Sequence, residues 1–291
     1  MGKAIIFLQK KVENFAKDNK LKLKIGGILL AIIIVTTSGL LGFLIERVYF
    51  INSSFGSILI IIFLASSIAG RSLRENVLNI LNSLDQTQGN DLKPSREKLQ
   101  NIVGRDVWNL NREQILTATA ESASENSVDG VFAPLFWIFV GSILWELNPN
   151  GPGPLSAALI YKSSSTLDSM IGYKYGNLKW LGTGGARLDD ILTWIPARIV
   201  LITLPIVSKS LNFLPGIISK SLKEGSKYES PNAGISEAIF ANCAGVKMGG
   251  DVKYKGIKVT KSTLAKGGKT ASREGIKTIL LLIIKLEILW V

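Results

Sequence analysis

Four short stretches hold most of the side chains that could do chemistry. The first runs Glu121-Ser-Ala-Ser-Glu125-Asn126-Ser-Val-Asp129-Gly130. On a helix its three carboxylates stand at i, i+4 and i+8, a single acidic stripe. Like charges at that spacing destabilise a helix by a few tenths of a kcal/mol per pair, and a divalent cation or an apposed arginine reverses the sign. Carboxylates beside phosphates are the usual way to hold Mg²⁺; a solvated acidic face is the plain alternative. The stripe leads straight into an apolar run, which puts it at a membrane surface. The second stretch packs hydroxyls around Asp168, from Ser163 to Gly172-Tyr173, although Ser/Thr tracts ahead of a helix are also common caps.

The third stretch is Gly182-Thr-Gly184-Gly185-Ala-Arg187-Leu-Asp189-Asp190. A glycine-rich turn entering a helix can bind phosphate on free backbone N–H groups, yet neither P-loop nor dinucleotide spacing is met. Arg187 and Asp190 are one turn apart, so a structural ion pair is the plain reading. Arg198 lies well inside an apolar run, where an unpaired charge costs at least about 2.5–3.5 kcal/mol. It must find a partner, and Asp190 or the acidic stripe are the candidates. The fourth stretch, Ser230-Pro231-Asn232, can start a helix with Glu237 on its exposed or site-facing side, ended by Gly245 and Gly249-Gly250. An ordinary capped helix is the alternative there.

The inventory limits what these groups can do. The chain has no histidine and one cysteine, Cys243. Serine–histidine and cysteine–histidine catalysis are excluded, as is a disulfide within the chain, and a zinc centre has no ligand set. The formal charge of +12 calls for an anionic partner. With no nucleic-acid module and no aromatic interleaving, lipid headgroups and phosphates fit better than DNA or RNA.

The elements that position these residues are largely membrane elements. Mean hydropathy is +0.29 over 291 residues, rarely reached by soluble domains of this size. Residues 3–18 read as an amphipathic helix with lysines off its apolar stripe, suited to an anionic leaflet or to covering the chain's own core. Residues 25–45 are uncharged and apolar, and at 1.5 Å per residue they span about 30 Å, a bilayer's hydrocarbon core. Residues 55–70 read as a second crossing, so 1–24 form an interfacial helix and 25–70 two spans. The arginines between 71 and 112 place that segment, with the N-terminus, in the cytoplasm. Residues 82–95 read as an exposed loop and 148–154 as a turn. Residues 131–147 and 191–214 either both cross or both dip and return. Residues 216–275 read as polar, glycine-rich and cytoplasmic, and 276–291 as a C-terminal apolar helix. The expectation is one mainly α, polytopic domain over 1–291, with re-entrant or interfacial helices, a site-bearing region at 71–275 and a small irregular cytoplasmic region.

Taken together, the motifs resemble the CobD/CbiB family of cobalamin-biosynthesis membrane enzymes, the adenosylcobinamide-phosphate synthases. The resemblance is carried by Val103-Gly-Arg105-Asp106, the acidic stripe from Glu121 to Gly130, Ala133-Pro134-Leu135-Phe136, Thr166-Leu167-Asp168-Ser169-Met170, Ala186-Arg187-Leu188-Asp189-Asp190, Ile195-Pro196-Ala197-Arg198 and Ser230-Pro231-Asn232. It covers nearly the whole chain, and several ordered motifs make it specific. The chain departs from the family pattern in having Ser165 where an asparagine is usual. It also reads as the family's sequence with a first apolar segment missing. The resemblance implies an ATP-dependent amide ligation joining a carboxyl of a corrinoid, adenosylcobyric acid, to aminopropanol or its phosphate. Glu121, Glu125 and Asp129 would then hold Mg²⁺. Arg105, Asn126, Tyr173, Arg187, Arg198 and Asn232 would bind substrate or phosphate. Asp168, Asp189, Asp190 and Glu237 would be the catalytic acids and bases. It also implies a multi-pass protein of the inner or plasma membrane, with N-terminus and site cytoplasmic, the lipid bilayer and other cobalamin-biosynthesis membrane enzymes as partners, and no nucleic acid.

Two other readings compete. A CDP-alcohol phosphotransferase needs Asp-Gly-x-x-Ala-Arg, but here Pro134 follows Ala133. A transporter or permease could use Arg198 and broken helices as a path.

Overall fold

The computed structural model describes residues 1–86, 91–208 and 213–291, as thirteen α-helices, one π-helical turn and a β-hairpin. They divide into two compact units, Met1–Ile68 with Ala133–Thr193, and Ala69–Phe132 with Trp194–Val291.

In the first unit, α1 (Gly2–Ala16) ends at Lys17 in the left-handed conformation, and α2 (Lys20–Ile51) starts from Asn19, whose side chain accepts from the Lys22 N–H. Helix α2 is apolar all round, as a membrane helix should be. Leu29, Ile32, Leu40 and Leu44 on it are each more than half exposed, an apolar surface that lipid can cover and water cannot. Helix α3 (Ser53–Ser67) follows after Asn52. Helices α7 (Ala133–Leu147) and α8 (Pro154–Ile171) form a helix–turn–helix, with the expected turn between them. A short α9 (Leu178–Leu181) leads into α10 (Thr183–Ser208). The core is Ile5, Ala16, Leu23, Leu30 and Ile34 against Leu167, Ile171 and Leu181. Gly27 admits the Leu181 carbonyl so closely that a Cβ would lie 1.9 Å from its oxygen.

The second unit holds α4 (Gly70–Gln86), α5 (Lys93–Gln100), α6 (Arg112–Ser127), the π-helical turn Val128–Phe132, α11 (Leu214–Gly225), α12 (Ala233–Ala244) and α13 (Arg273–Trp290). Its core joins Ile80, Leu84, Leu99, Val107, Ile115 and Ala118. Strands β1 (Met248–Tyr254) and β2 (Ile257–Leu264) pair antiparallel, with a bulge between Met248 and Gly250.

Among the described residues four helices are long and apolar enough to cross a membrane: Lys20–Ile51, Ser53–Gln86 (counted through its break at 68–69), Arg112–Leu147 and Thr183–Ser208. They contain the runs 25–45, 55–70 and 131–147 and most of 191–214, and the protein is a mainly α polytopic membrane protein. The third candidate is 36 residues long, about 54 Å, far more than a bilayer's core. Its polar half, α6, is the half buried in protein.

Several local details differ from the sequence expectations or extend them. The loop expected at 82–95 is helical at both ends, because the apolar face of α4 continues through Leu84 into the core; of its centre, 87–90 lie outside the described residues, as does Lys209 in the 191–214 run. The 18-residue α8 begins at the end of the 148–154 turn and carries on through the hydroxyl cluster. There Thr166 and Ser169 bond back to the carbonyls of Lys162 and Thr166, so these hydroxyls sit inside the helix instead of capping one. The glycines expected in a phosphate turn lie at the start of α10, where a Cβ on Gly184 would come 3.1 Å from Ile28 Cα and one on Gly182 1.9 Å from the Ile171 carbonyl oxygen; they allow close packing. Within 216–275, Lys255-Gly256, both at positive φ, form the two-residue turn of the hairpin.

Candidate functional site

The second unit gathers charges from four separate segments. The loop after α5 is held by Ser122, whose hydroxyl donates to the Ile102 carbonyl, and it delivers Arg105. The capping box at Asn111–Gln114 fixes the start of α6, which carries Glu121. Helix α12 contributes Glu237 and strand β2 contributes Lys261. Arg105 donates to Glu121 in a close ion pair. Lys261 Nζ lies 3.1 Å from Glu237 Oε1 and 3.8 Å from Glu121 Oε2. The Gly249 N–H donates to Glu121 Oε1 at 2.8 Å. Glu121 is 1% exposed, Glu237 0% and Arg105 9%. The apposed arginine that an acidic stripe requires is therefore Arg105, with Lys261 as a second cation. Asp106, next in sequence, accepts from the Lys255 and Gly256 N–H groups at 3.1 and 2.7 Å, clasping the hairpin tip. Arg105-Asp106 thus ties the hairpin to α6 with adjacent side chains of opposite charge.

The electrostatics follow from burial. Burial is the largest influence on Glu237 and raises its pKa; Lys261 pulls it down, Glu121 and Glu125 push it further up, and it is pushed up to about 8. Its Oε2 has no hydrogen-bond partner among the described residues. Burial would lower Lys261, but the carboxylates of Glu237 and Glu121 outweigh it and raise it. Burial likewise opposes the charge on Arg105, and Glu121 more than offsets it. Tyr228, whose hydroxyl donates to the Ser262 carbonyl at 3.1 Å, has its ring 5.2 Å from the Lys261 ammonium. Burial, then the charges of Glu237 and Glu121, hold its phenol protonated.

Because Glu237's folded pKa is above its unfolded value near 4.5, its contribution to stability is full below about pH 4.5 and is lost as pH rises through about 8. The apparent melting temperature in detergent should fall between about pH 4.5 and 8, and Glu237→Gln should flatten that decline. An unchanged slope in the variant would remove Glu237 as its source.

The other expected site residues are placed as follows. Glu125 and Asn126 lie partly buried on α6, the Asn126 amide donating to Ser122 Oγ at 2.8 Å. Asp129 lies in the π-helical turn, which breaks the i, i+4, i+8 register; such turns inside long helices are frequent at functional sites. The Gly130 carbonyl accepts from the Ala69 N–H at 2.7 Å, and Phe132 packs on Trp290 with centroids 5.2 Å apart. Arg198 finds oxygens and an aromatic ring where carboxylates were expected. It donates to Asn232 Oδ1 at 2.6 Å and to the Pro231 carbonyl at 3.1 Å, and stacks on Trp194 at 4.4 Å. One turn of helix brings Trp194 under the guanidinium, and amide oxygens answer its donors without burying a second charge. Glu237, expected on an exposed or site-facing side, is wholly inside. Gly245 ends α12 in the left-handed conformation as expected, whereas Gly249 and Gly250 belong to β1. Asp168, Tyr173, Arg187, Asp189 and Asp190 belong to the first unit, Arg187 exposed and the others partly buried.

The sequence reading missed two residues. Lys261 could have been found from the alternation Val252, Tyr254, Ile257, Val259 around Lys-Gly, which marks a hairpin. Glu46, at the end of the first apolar run, is fully buried. It accepts from the Gly153, Leu155 and Ser156 N–H groups at 2.9, 2.7 and 3.1 Å.

Among the described residues no three Asp, Glu or Cys side chains form a group that could hold a metal ion. Glu121, engaged by two cations and an N–H, does not fit a resident metal centre. A Mg²⁺ arriving on a nucleotide needs only one or two carboxylates; Glu125 and Asp129 are both partly buried.

Comparison with known proteins gives one answer. The family model "CobD/Cbib protein" matches residues 1–283. The chain is 38% identical over 270 residues to Cobalamin biosynthesis protein CobD of Synechocystis sp., covering 92% of this chain and 75% of that one. It is 32% identical to Cobalamin biosynthesis protein CbiB of Salmonella typhimurium, covering 95% and 82%, and 32% identical to a CobD of Leptospira interrogans, covering 90% and 79%. No solved structure matches. The matched region takes in Arg105, Glu121, Glu237 and Lys261 together with the hairpin that joins them, and on that evidence this chain belongs to the CobD/CbiB family.

Proposed function

We propose that this protein acts in cobalamin biosynthesis as an adenosylcobinamide-phosphate synthase, joining a corrinoid carboxyl to aminopropanol or its phosphate in an amide bond. The observation that carries the reading is the buried set Arg105–Glu121–Lys261–Glu237 in a chain of this family. ATP, as substrate, would phosphorylate the carboxyl with release of ADP, the phosphate leaving as the amine attacks; Glu125 or Asp129 would hold a Mg²⁺ that offsets phosphate charge. In the second unit Arg105 and Arg198 offset remaining anionic charge, and in the first Arg187 is a further cation for phosphate. An ammonium must lose a proton before it can attack, and Glu237, with an affinity for protons near neutral pH, is matched to take it. Asp168, Asp189 and Asp190 are the alternative bases, and Asn126, Tyr173 and Asn232 orient substrate. The chain sits in the cell membrane as a multi-pass protein with a cytoplasmic N-terminus and site. Segment 131–161 is a re-entrant pair and 191–214 a tilted or re-entrant one. Neighbouring cobalamin-biosynthesis membrane enzymes are its partners.

The test is conversion of adenosylcobyric acid, amine and ATP to the amide by purified protein in lipid nanodiscs. Product and ADP should appear together, and Glu237→Gln should lower kcat at least tenfold with the fold retained. Substrate flux into liposomes with no ATP turnover would instead identify a permease. Full activity in Asp168→Ala would remove that residue from the acid–base set.

A further inference from the structure

Beside the buried charges the second unit contains a cavity of about 250 Å³. Arg105 forms part of its wall. Of the guanidinium's donors only Nη2 has a hydrogen bond among the described residues, the one to Glu121. The remaining N–H groups are not among the fully buried unpartnered atoms, so on a guanidinium only 9% exposed they stay open to a small acceptor at the cavity wall. Lys247, exposed at the wall, adds a second cation, and Thr117 and Thr263 add hydroxyls. The wall on the β1 side is bare backbone. Gly249 and Gly250 stand at φ +88 and +106, at the bulge, and a Cβ on Gly250 would meet nothing within 4 Å. Glycine at a strand bulge is where a ligand can approach the backbone.

Two carboxylates also line the cavity. Asp251 is already answered by Lys258 at 2.7 Å and Thr260 at 2.6 Å, and Glu113 is exposed, where solvent screens it. Arg105 is likewise paired with Glu121, so what the wall offers an anion is the remaining N–H donors of Arg105, the Lys247 ammonium and the Thr117 and Thr263 hydroxyls.

We propose that this cavity is a phosphate subsite, in which Arg105 and Lys247 hold one phosphate group against the glycine bulge of β1. A cavity of this volume is below the usual range for drug-sized ligands, about 300–1,000 Å³. It admits a small phosphomonoester, or the terminal phosphate of a larger molecule whose body stays outside. The phosphate assignment stands without the ligase reading, and only the identity of the molecule bearing the phosphate rests on it.

Calorimetric titration of the purified full chain in detergent with inorganic phosphate tests the site without turnover. Wild type should bind phosphate, Lys247→Glu should weaken binding at least tenfold with an unchanged melting temperature, and the paired Arg105→Gln with Glu121→Gln should abolish it. The pair is used because Arg105→Gln alone would leave Glu121 without its guanidinium. Glycerol 3-phosphate and ATP then compete in separate arms. Displacement by glycerol 3-phosphate identifies a small phosphomonoester, and displacement by ATP alone identifies a nucleotide's terminal phosphate. No binding by wild type, or wild-type affinity in Lys247→Glu, would overturn the proposal. Phosphate binding without amide formation would leave the subsite standing and sink the ligase.

Discussion

Glu121→Ala should destabilise the protein by about 3–5 kcal/mol, the usual cost of removing one partner from a buried ion pair. The carboxylate answers three groups at once: the Arg105 guanidinium, the Lys261 ammonium and the Gly249 N–H. Truncating it leaves a guanidinium that is 9% exposed without its counter-charge, and it frees β1 from α6 at the bulge. A double-mutant cycle isolates the pair: Arg105→Ala and Glu121→Ala together should cost clearly less than the sum of the two. Chemical denaturation in detergent reads both quantities. Additive losses, or a Glu121→Ala variant as stable as wild type, would mean that the hairpin is not latched through this residue.

Glu46→Ala should cost about 3 kcal/mol or more through a different mechanism. The first N–H groups of a helix have no partner within it. Those at the start of α8 meet a carboxylate from α2, which takes three of them in the buried interior. Hydrogen bonds to a charged group contribute about 1.5–3 kcal/mol each, and a buried donor left unmade costs about 1–3 kcal/mol. Arg47, the next residue, donates to the Pro149 and Gly151 carbonyls at 2.8 and 3.1 Å, so the pair holds both sides of the 148–154 turn. Glu46→Gln should fall between wild type and alanine, because the amide keeps one acceptor and turns a donor toward the others. Melting temperatures of the three proteins should rank glutamate, glutamine, alanine; alanine equal to glutamate would show that α8 is capped by other means.

Two features of the sequence carried the membrane architecture by themselves. The uncharged run at 25–45 admits no soluble packing, since a helix apolar on every side has no face for water, and α2 follows from that alone. The turn at 148–154 follows from proline and glycine, whose backbone preferences are local. The family too was legible, because ordered motifs survive in one dimension. The pairing of charges was not. Arg105 and Glu121 are sixteen residues apart and Glu121 and Lys261 one hundred and forty, and no local preference connects them. Arg198 shows the limit most plainly: its position inside an apolar run demanded a partner, yet sequence pointed to carboxylates, and only the packing of the segment after α11 placed the oxygens of Pro231 and Asn232 within reach. The hairpin brought Lys261 to Glu237, and its own strands are too polar to announce a buried role. Local chemistry is set by neighbours along the chain, whereas the protonation and partners of a buried charge are set by whichever distant segment displaces water from it.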